Sequence, residues 1–218
     1  MTTRAHDGLA RHLRLTVVTD AGLSAPRPVV EVVAAALRGG ATTVQLRNKG
    51  DSARARVALG RRLRALTREH DALLIVNDRL DIALLVEADG LHVGPDDLPV
   101  SAVRNATPPG FVIGRSADDP VVARRAVSDG ATYIGCGAVF GSTTKDVGGE
   151  AIGPSGVRRV VDAVDVPVVA IGGIAEGNVA ALSDTGVAGV AVVGAVMAAS
   201  DPGRAARALR NGLDTLPR

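Results

Sequence analysis

Short runs of Val, Leu and Ile alternate with longer stretches of helical periodicity along most of the chain. The apolar runs at 13–19, 42–46, 73–76, 90–93, 112–114, 132–135, 168–171 and 189–193 predict strands. The stretches at 28–39, 52–69, 78–87, 100–106, 118–128, 154–164, 176–183 and 202–213 predict helices. Regular alternation of this kind implies parallel strands and an α/β fold. Eight strand–helix units point to a closed (β/α)₈ TIM barrel, where five or six would suit an open sheet. No linker or low-complexity segment interrupts the pattern, so residues 1–218 are expected to form one barrel domain, with 1–12 as a loose N-terminal extension.

Composition agrees with that pattern. Hydrophobic residues make up 46% of the chain and aromatics only 1%, so aliphatic side chains must fill the core. Parallel strands covered on both faces call for that chemistry. The 25 basic and 23 acidic side chains nearly cancel, leaving a formal charge of +2. Arginine is spread along the sequence, and Arg54, Arg56, Arg61, Arg62 and Arg64 read as one solvated helix face. A nucleic-acid partner is therefore not expected. Cys136 is the lone cysteine, which excludes an intramolecular disulfide. No apolar run reaches the roughly 20 residues that a membrane-spanning helix needs, so no membrane partner is expected and a cytoplasmic protein is.

Polar residues at the C-terminal ends of the strands carry the candidate chemistry, because barrel active sites lie there. Gln45, Arg47 and Lys49 share one parity, so an extended backbone aims them to one side. Two cations facing an apolar barrel require anionic partners, and a ligand meets that need more readily than several internal acids would. Asn77 and Asp78 end strand three, and Asp97 follows strand four. A pair of carboxylates suits Mg²⁺, which takes one or two of them with waters and phosphate oxygens. Taken singly, Asp78 reads equally well as a helix N-cap and Asp97 as a turn residue. His92 alone reads as a packed or capping side chain rather than a ligand. The glycine-rich segment 136–153 lacks periodicity, as binding loops often do, and carries Ser142, Thr143, Thr144 and Lys145. Glycines follow strands seven and eight at Gly172, Gly173 and Gly194, the usual position of a barrel phosphate site.

These motifs, taken in order, resemble the thiamine-phosphate synthase family. The resemblance rests on Val44-Gln45-Leu46-Arg47-Asn48-Lys49, Ile75-Val76-Asn77-Asp78-Arg79, Gly90-Leu91-His92-Val93-Gly94-Pro95-Asp96-Asp97, Thr143-Thr144-Lys145, Ala170-Ile171-Gly172-Gly173-Ile174 and Gly189-Val190-Ala191-Val192-Val193. It implies condensation of hydroxymethylpyrimidine pyrophosphate with hydroxyethylthiazole phosphate to give thiamine phosphate and pyrophosphate. By family pattern Gln45, Arg47, Lys49, Asn77, Ser116 and Lys145 bind the pyrimidine substrate, with Arg47, Lys49 and Lys145 neutralising the leaving group. Asp78 and Asp97 hold Mg²⁺. Ser142, Thr143, Thr144, Gly173, Val193 and Gly194 serve the thiazole phosphate. The chain departs from the family at Gly141, where proline is common, at Ser142, where threonine is, and at Pro95, where glutamine is. A thiazole tautomerase-like paralogue and a non-catalytic phosphate-ligand sensor are the alternatives on the same barrel. A homo-oligomer is left open.

Overall fold

A computed structural model describes residues 3–48, 50–141 and 151–215, with side chains from Gly8 onward. Eight strands close into a barrel in sequence order: β1 (Leu15–Val18), β2 (Thr43–Leu46), β3 (Leu73–Asn77), β4 (Gly90–Val93), β5 (Val112–Ser116), β6 (Tyr133–Cys136), β7 (Val168–Ile171) and β8 (Gly189–Val192). Every neighbouring pair is parallel, and β8 pairs with β1, so no sheet edge is left open. This is the expected (β/α)₈ barrel.

The two-residue period of a strand divides the core into two compartments. Leu15, Val17, Val44, Leu46, Leu74, Val76, Leu91, Val93, Ile113, Ile134, Val190 and Val192 face outward and join the layer packed under the helices. Leu13, Val18, Tyr133, Val169 and Ala191 form a smaller cluster inside the barrel. At roughly 1.5–3 kcal/mol for each buried Val, Leu or Ile side chain, the outer layer supplies most of the driving force. The interior holds the polar residues Thr16, Thr43, Gln45 and His92, all buried.

The helices are α1 (Thr3–His12), α2 (Ala21–Ser24), α3 (Val29–Arg38), α4 (Ala53–Glu69), α5 (Leu80–Leu85), α6 (Val100–Ala106), α7 (Pro120–Ser128), α8 (Gly153–Val161), α9 (Gly194–Met197) and α10 (Pro202–Asp214). Caps written in the sequence set several starts. Ser52 accepts from the Ala55 N–H at 3.2 Å, Asp119 from Val121 and Val122 at 2.8 and 3.1 Å, and Asp201 from Arg204 at 2.9 Å. Each such cap stabilises its helix by about 1 kcal/mol. Arg14 closes the opposite end of the barrel, donating to the carbonyls of Ala188 and Leu213.

Residues 3–12, expected as a loose extension, form the helix α1, with Leu9 packed on the interior cluster. Two expectations need correction. The helix expected over 176–183 is instead a 3₁₀ helix at Val179–Thr185. Asn178 explains the change: its Oδ1 accepts from the Ala175 N–H at 2.9 Å and its Nδ2 donates to the Gly173 carbonyl at 2.8 Å, so side-chain bonds hold the turn that an α-helix would occupy. The arginine run on α4 is not uniformly solvated either. Arg64 forms a bidentate bond to Asp89 at 2.6 and 2.9 Å, and Asp89 also accepts from the Leu74 N–H, tying α4 to the barrel wall.

Candidate active site

Because all eight strands run the same way, their C-terminal ends share one mouth. Gln45 is buried inside β2, in register with Val18 and Ile75. Arg47 follows β2 and is half-buried. A residue that the sequence reading passed over fixes its backbone. Thr19, fully buried at the end of β1, accepts from the Arg47 N–H at 2.9 Å through Oγ1 and donates to the Arg47 carbonyl at 3.4 Å. The Thr19 N–H also donates to the Gln45 carbonyl at 2.9 Å. Thr19→Val keeps the shape and removes both hydroxyl bonds, leaving a backbone donor without its partner at a cost of about 1–3 kcal/mol. The expected result is a Tm lower by roughly 2–10 °C, with KM raised for the anionic ligand expected of Arg47; calorimetry and steady-state kinetics check it.

Asn77 ends β3 beside His92 of β4, and Asp78 donates its N–H to the His92 carbonyl at 2.9 Å. Asp78 has a left-handed backbone, with φ of 63°. Helix α5 takes Arg79, not Asp78, at its N-cap, so the capping role considered for Asp78 is not met. Asp97 meets the turn role considered for it: Oδ2 accepts from the Gly94 N–H at 2.6 Å. The two carboxylates are hard oxygen donors on consecutive strand ends. Among the described residues no group of three or more His, Cys, Asp or Glu forms a closed metal cage. Mg²⁺ in general takes one or two carboxylates and completes its shell with waters and substrate phosphates.

Ser116 ends β5, and its Oγ lies 2.9 Å from His92 Nε2. Nδ1 of the same ring lies 2.8 Å from the Tyr133 hydroxyl. His92 is therefore part of a polar chain inside the barrel, where the sequence suggested a packed or capping side chain. Cys136, at the end of β6, is buried, and burial first and Asp118 second push its thiol up to about 12. It stays protonated at neutral pH and offers no thiolate nucleophile.

After β7, Gly172 and Gly173 both have positive φ, at 104° and 66°. The chain leaving β6 runs alongside them: Val139 donates to the Ile171 carbonyl at 3.0 Å and Phe140 to the Gly172 carbonyl at 3.1 Å. Ile152 and Gly153 return to donate to the Ala138 and Val139 carbonyls at 3.0 and 3.1 Å. Both ends of segment 136–153 are thus tied beside the glycine turn. Val193 is the N-cap of α9, a one-turn helix that begins at Gly194 directly after β8. Lys49, Ser142, Thr143, Thr144 and Lys145 lie outside the described residues.

The fold and the side chains at its mouth define a class, the (β/α)₈ barrel with its working residues on the C-terminal strand ends. Comparison with known proteins narrows that class. The thiamine monophosphate synthase family profile matches residues 15–196, and this chain belongs to that family. Thiamine-phosphate synthase of Haloarcula marismortui is 47% identical over 201 residues, 91% of this chain and 95% of that protein. The enzyme of the same name from Moorella thermoacetica is 48% identical over 196 residues, 90% and 93% of the two chains. The solved structure of thiamine phosphate pyrophosphorylase from Pyrococcus furiosus superposes with a TM-score of 0.89 at 41% identity, covering 96% of this chain and all of that one. The 3-hexulose-6-phosphate synthase of Salmonella typhimurium, at 18% identity and a TM-score of 0.70, shares the fold alone. No helix among the described residues is long and apolar enough to cross a membrane.

Proposed function

We propose that this enzyme joins hydroxymethylpyrimidine pyrophosphate to hydroxyethylthiazole phosphate, releasing pyrophosphate and forming thiamine phosphate. The observation that carries the reading is that Gln45, Arg47, Asn77, Asp78 and Ser116 lie at the C-terminal ends of β2, β3 and β5, at the same end of the barrel as the Gly172–Gly173 turn. Family membership supports the same assignment.

In this reading the carbon–oxygen bond to pyrophosphate breaks first. A pyrimidinylmethyl cation remains, stabilised by its amino ring, and the thiazole nitrogen attacks it. That nitrogen carries no proton, so neither a general base nor a side-chain nucleophile is required, and the protonated Cys136 has no part in the step. Arg47, Lys49 and Lys145 stabilise the charge that grows on the departing pyrophosphate, while Gln45, Asn77 and Ser116 orient the pyrimidine. Asp78 and Asp97 would hold Mg²⁺, which supplies further neutralisation of the pyrophosphate. Backbone N–H groups at Gly173, Val193 and Gly194 take the thiazole phosphate, and Ser142, Thr143 and Thr144 are proposed to serve the same substrate. The substrates are small molecules and the setting proposed is the cytoplasm.

A pyrophosphate-release assay tests the reading. Release is expected only with both substrates and Mg²⁺ present, to stop on chelation with EDTA, and to yield thiamine phosphate. Release that ignores the thiazole substrate, or thiazole-phosphate binding with no turnover, would overturn it and shift the assignment to the tautomerase-like or sensor alternative.

A further inference from the structure

We infer that Tyr133 and His92 are positioning residues whose hydrogen-bonded relay sets the orientation and polarity of the Ser116 hydroxyl. The inference rests on the proposal that Ser116 faces the pyrimidine substrate. The relay runs from the Tyr133 hydroxyl to His92 Nδ1 at 2.8 Å, and from Nε2 to Ser116 Oγ at 2.9 Å. His92 and Tyr133 are 9% and 4% exposed, so water competes little for these bonds.

The barrel makes room for the relay. A Cβ at Gly114 would sit 2.1 Å from Tyr133 Cζ and 2.4 Å from His92 Nδ1, and one at Gly135 would sit 2.8 Å from His92 Cε1. Two neighbouring strands thus omit side chains at inward positions so that two polar rings can meet. Aliphatic packing, as at Val18, Val169 and Ala191, would fill the same space without burying polar atoms.

Proton counting gives the relay its function. Burial raises the Tyr133 pKa, so the phenol keeps its single proton. A neutral imidazole donates from one nitrogen and accepts at the other. If Tyr133 donates to Nδ1, the neutral ring donates from Nε2 to Ser116, whose O–H is left to donate to the ligand. If both bonds reverse, Ser116 spends its proton on Nε2 and offers the ligand only an acceptor. An aminopyrimidine offers a partner for either state, a ring nitrogen or an amino N–H.

Tyr133→Phe removes one end of the relay at nearly constant volume, and Ser116→Ala removes the other. KM for each substrate, kcat and Tm are measured for wild type, both single variants and the double variant. Y133F is expected to raise KM for the pyrimidine pyrophosphate about tenfold and to leave KM for the thiazole phosphate within about twofold. S116A is expected to cost about tenfold in wild type but less than about twofold further when combined with Y133F, because neighbours in one network do not act independently. His92→Gln, which keeps a donor and an acceptor, is expected to bind the pyrimidine better than His92→Leu. Effects of Y133F and S116A that multiply, or a Y133F that lowers Tm and raises both KM values alike, overturn the relay and leave the functional assignment standing. Wild-type enzyme that releases no pyrophosphate overturns both.

Discussion

Arg47→Ala is expected to lower kcat by roughly 10²–10³-fold, the loss typical of removing one preorganised charge from a transition state. The guanidinium is half-buried at the end of β2, and Thr19 fixes the backbone beneath it from both sides. Its position is therefore set before ligand arrives. Pyrophosphate gains negative charge as the carbon–oxygen bond breaks, so the interaction is stronger in the transition state than in the ground state. Such an interaction falls on kcat more than on KM. Arg47→Lys should recover only part of the loss, because an ammonium restores the charge without the two-pronged donor geometry that fits phosphate. Single-turnover kinetics with both substrates saturating isolates the chemical step. An R47A enzyme with wild-type single-turnover rate and a raised KM would show that Arg47 only binds the pyrophosphate.

The parts of this protein that could be read along the chain are those with local causes. Strand and helix alternation follows from side-chain period, and the bounds of 90–93, 100–106 and 168–171 coincide with β4, α6 and β7. Ser52, Asp119 and Asp201 announce α4, α7 and α10 because a cap acts within three residues. The polar residues at the strand ends were legible for the same reason: parity and position on a strand are local properties. What escaped depends on contacts across the barrel. His92 and Tyr133 lie 41 positions apart, and only closure of the sheet brings them together. The trace they leave in the sequence is indirect, in Gly114 and Gly135, two glycines at inward positions of consecutive strands. Thr19 acts on Arg47 from 28 positions away, and a threonine ending an apolar run does not reveal that partner. The 3₁₀ segment failed by a different route, since Asn178 acts back on Gly173 and Ala175 before the helical pattern begins. One sequence signal was sharper than parity. The chain has two lysines, Lys49 and Lys145, and uses arginine everywhere else for its cations. Both fall in segments that the motif order assigns to the pyrophosphate, where a compact, mobile point charge differs from a planar guanidinium.

Gly173→Ala is expected to raise KM for the thiazole phosphate by at least about tenfold, through backbone geometry rather than lost contacts. At φ of 66° an alanine there meets a left-handed penalty of about 1–2 kcal/mol. A steric penalty adds to it. The new Cβ would lie 2.4 Å from the Gly141 carbonyl oxygen and 3.0 Å from Phe140 Cβ, and the first of these is backbone that cannot swing aside. The same backbone donates from Phe140 to Gly172, while Asn178 holds the Gly173 carbonyl from the other side. Relief of the clash must therefore part the turn after β7 from the chain leaving β6. The N–H groups proposed to hold the phosphate move with it. Gly194→Ala is the matching control on the other half of the site. A Cβ at Gly194 meets nothing within 4 Å, its φ is not left-handed, and its N–H is retained. G194A should then keep KM for the thiazole phosphate within about threefold and hold its Tm, as substitutions away from strained or packed positions usually do. G173A should lose several degrees of Tm and the phosphate affinity together, with KM for the pyrimidine pyrophosphate changed far less. If G173A binds the thiazole phosphate as wild type does, the turn after β7 is not its phosphate site. If both variants lose binding equally, side-chain bulk in the pocket, not the left-handed turn, sets the limit.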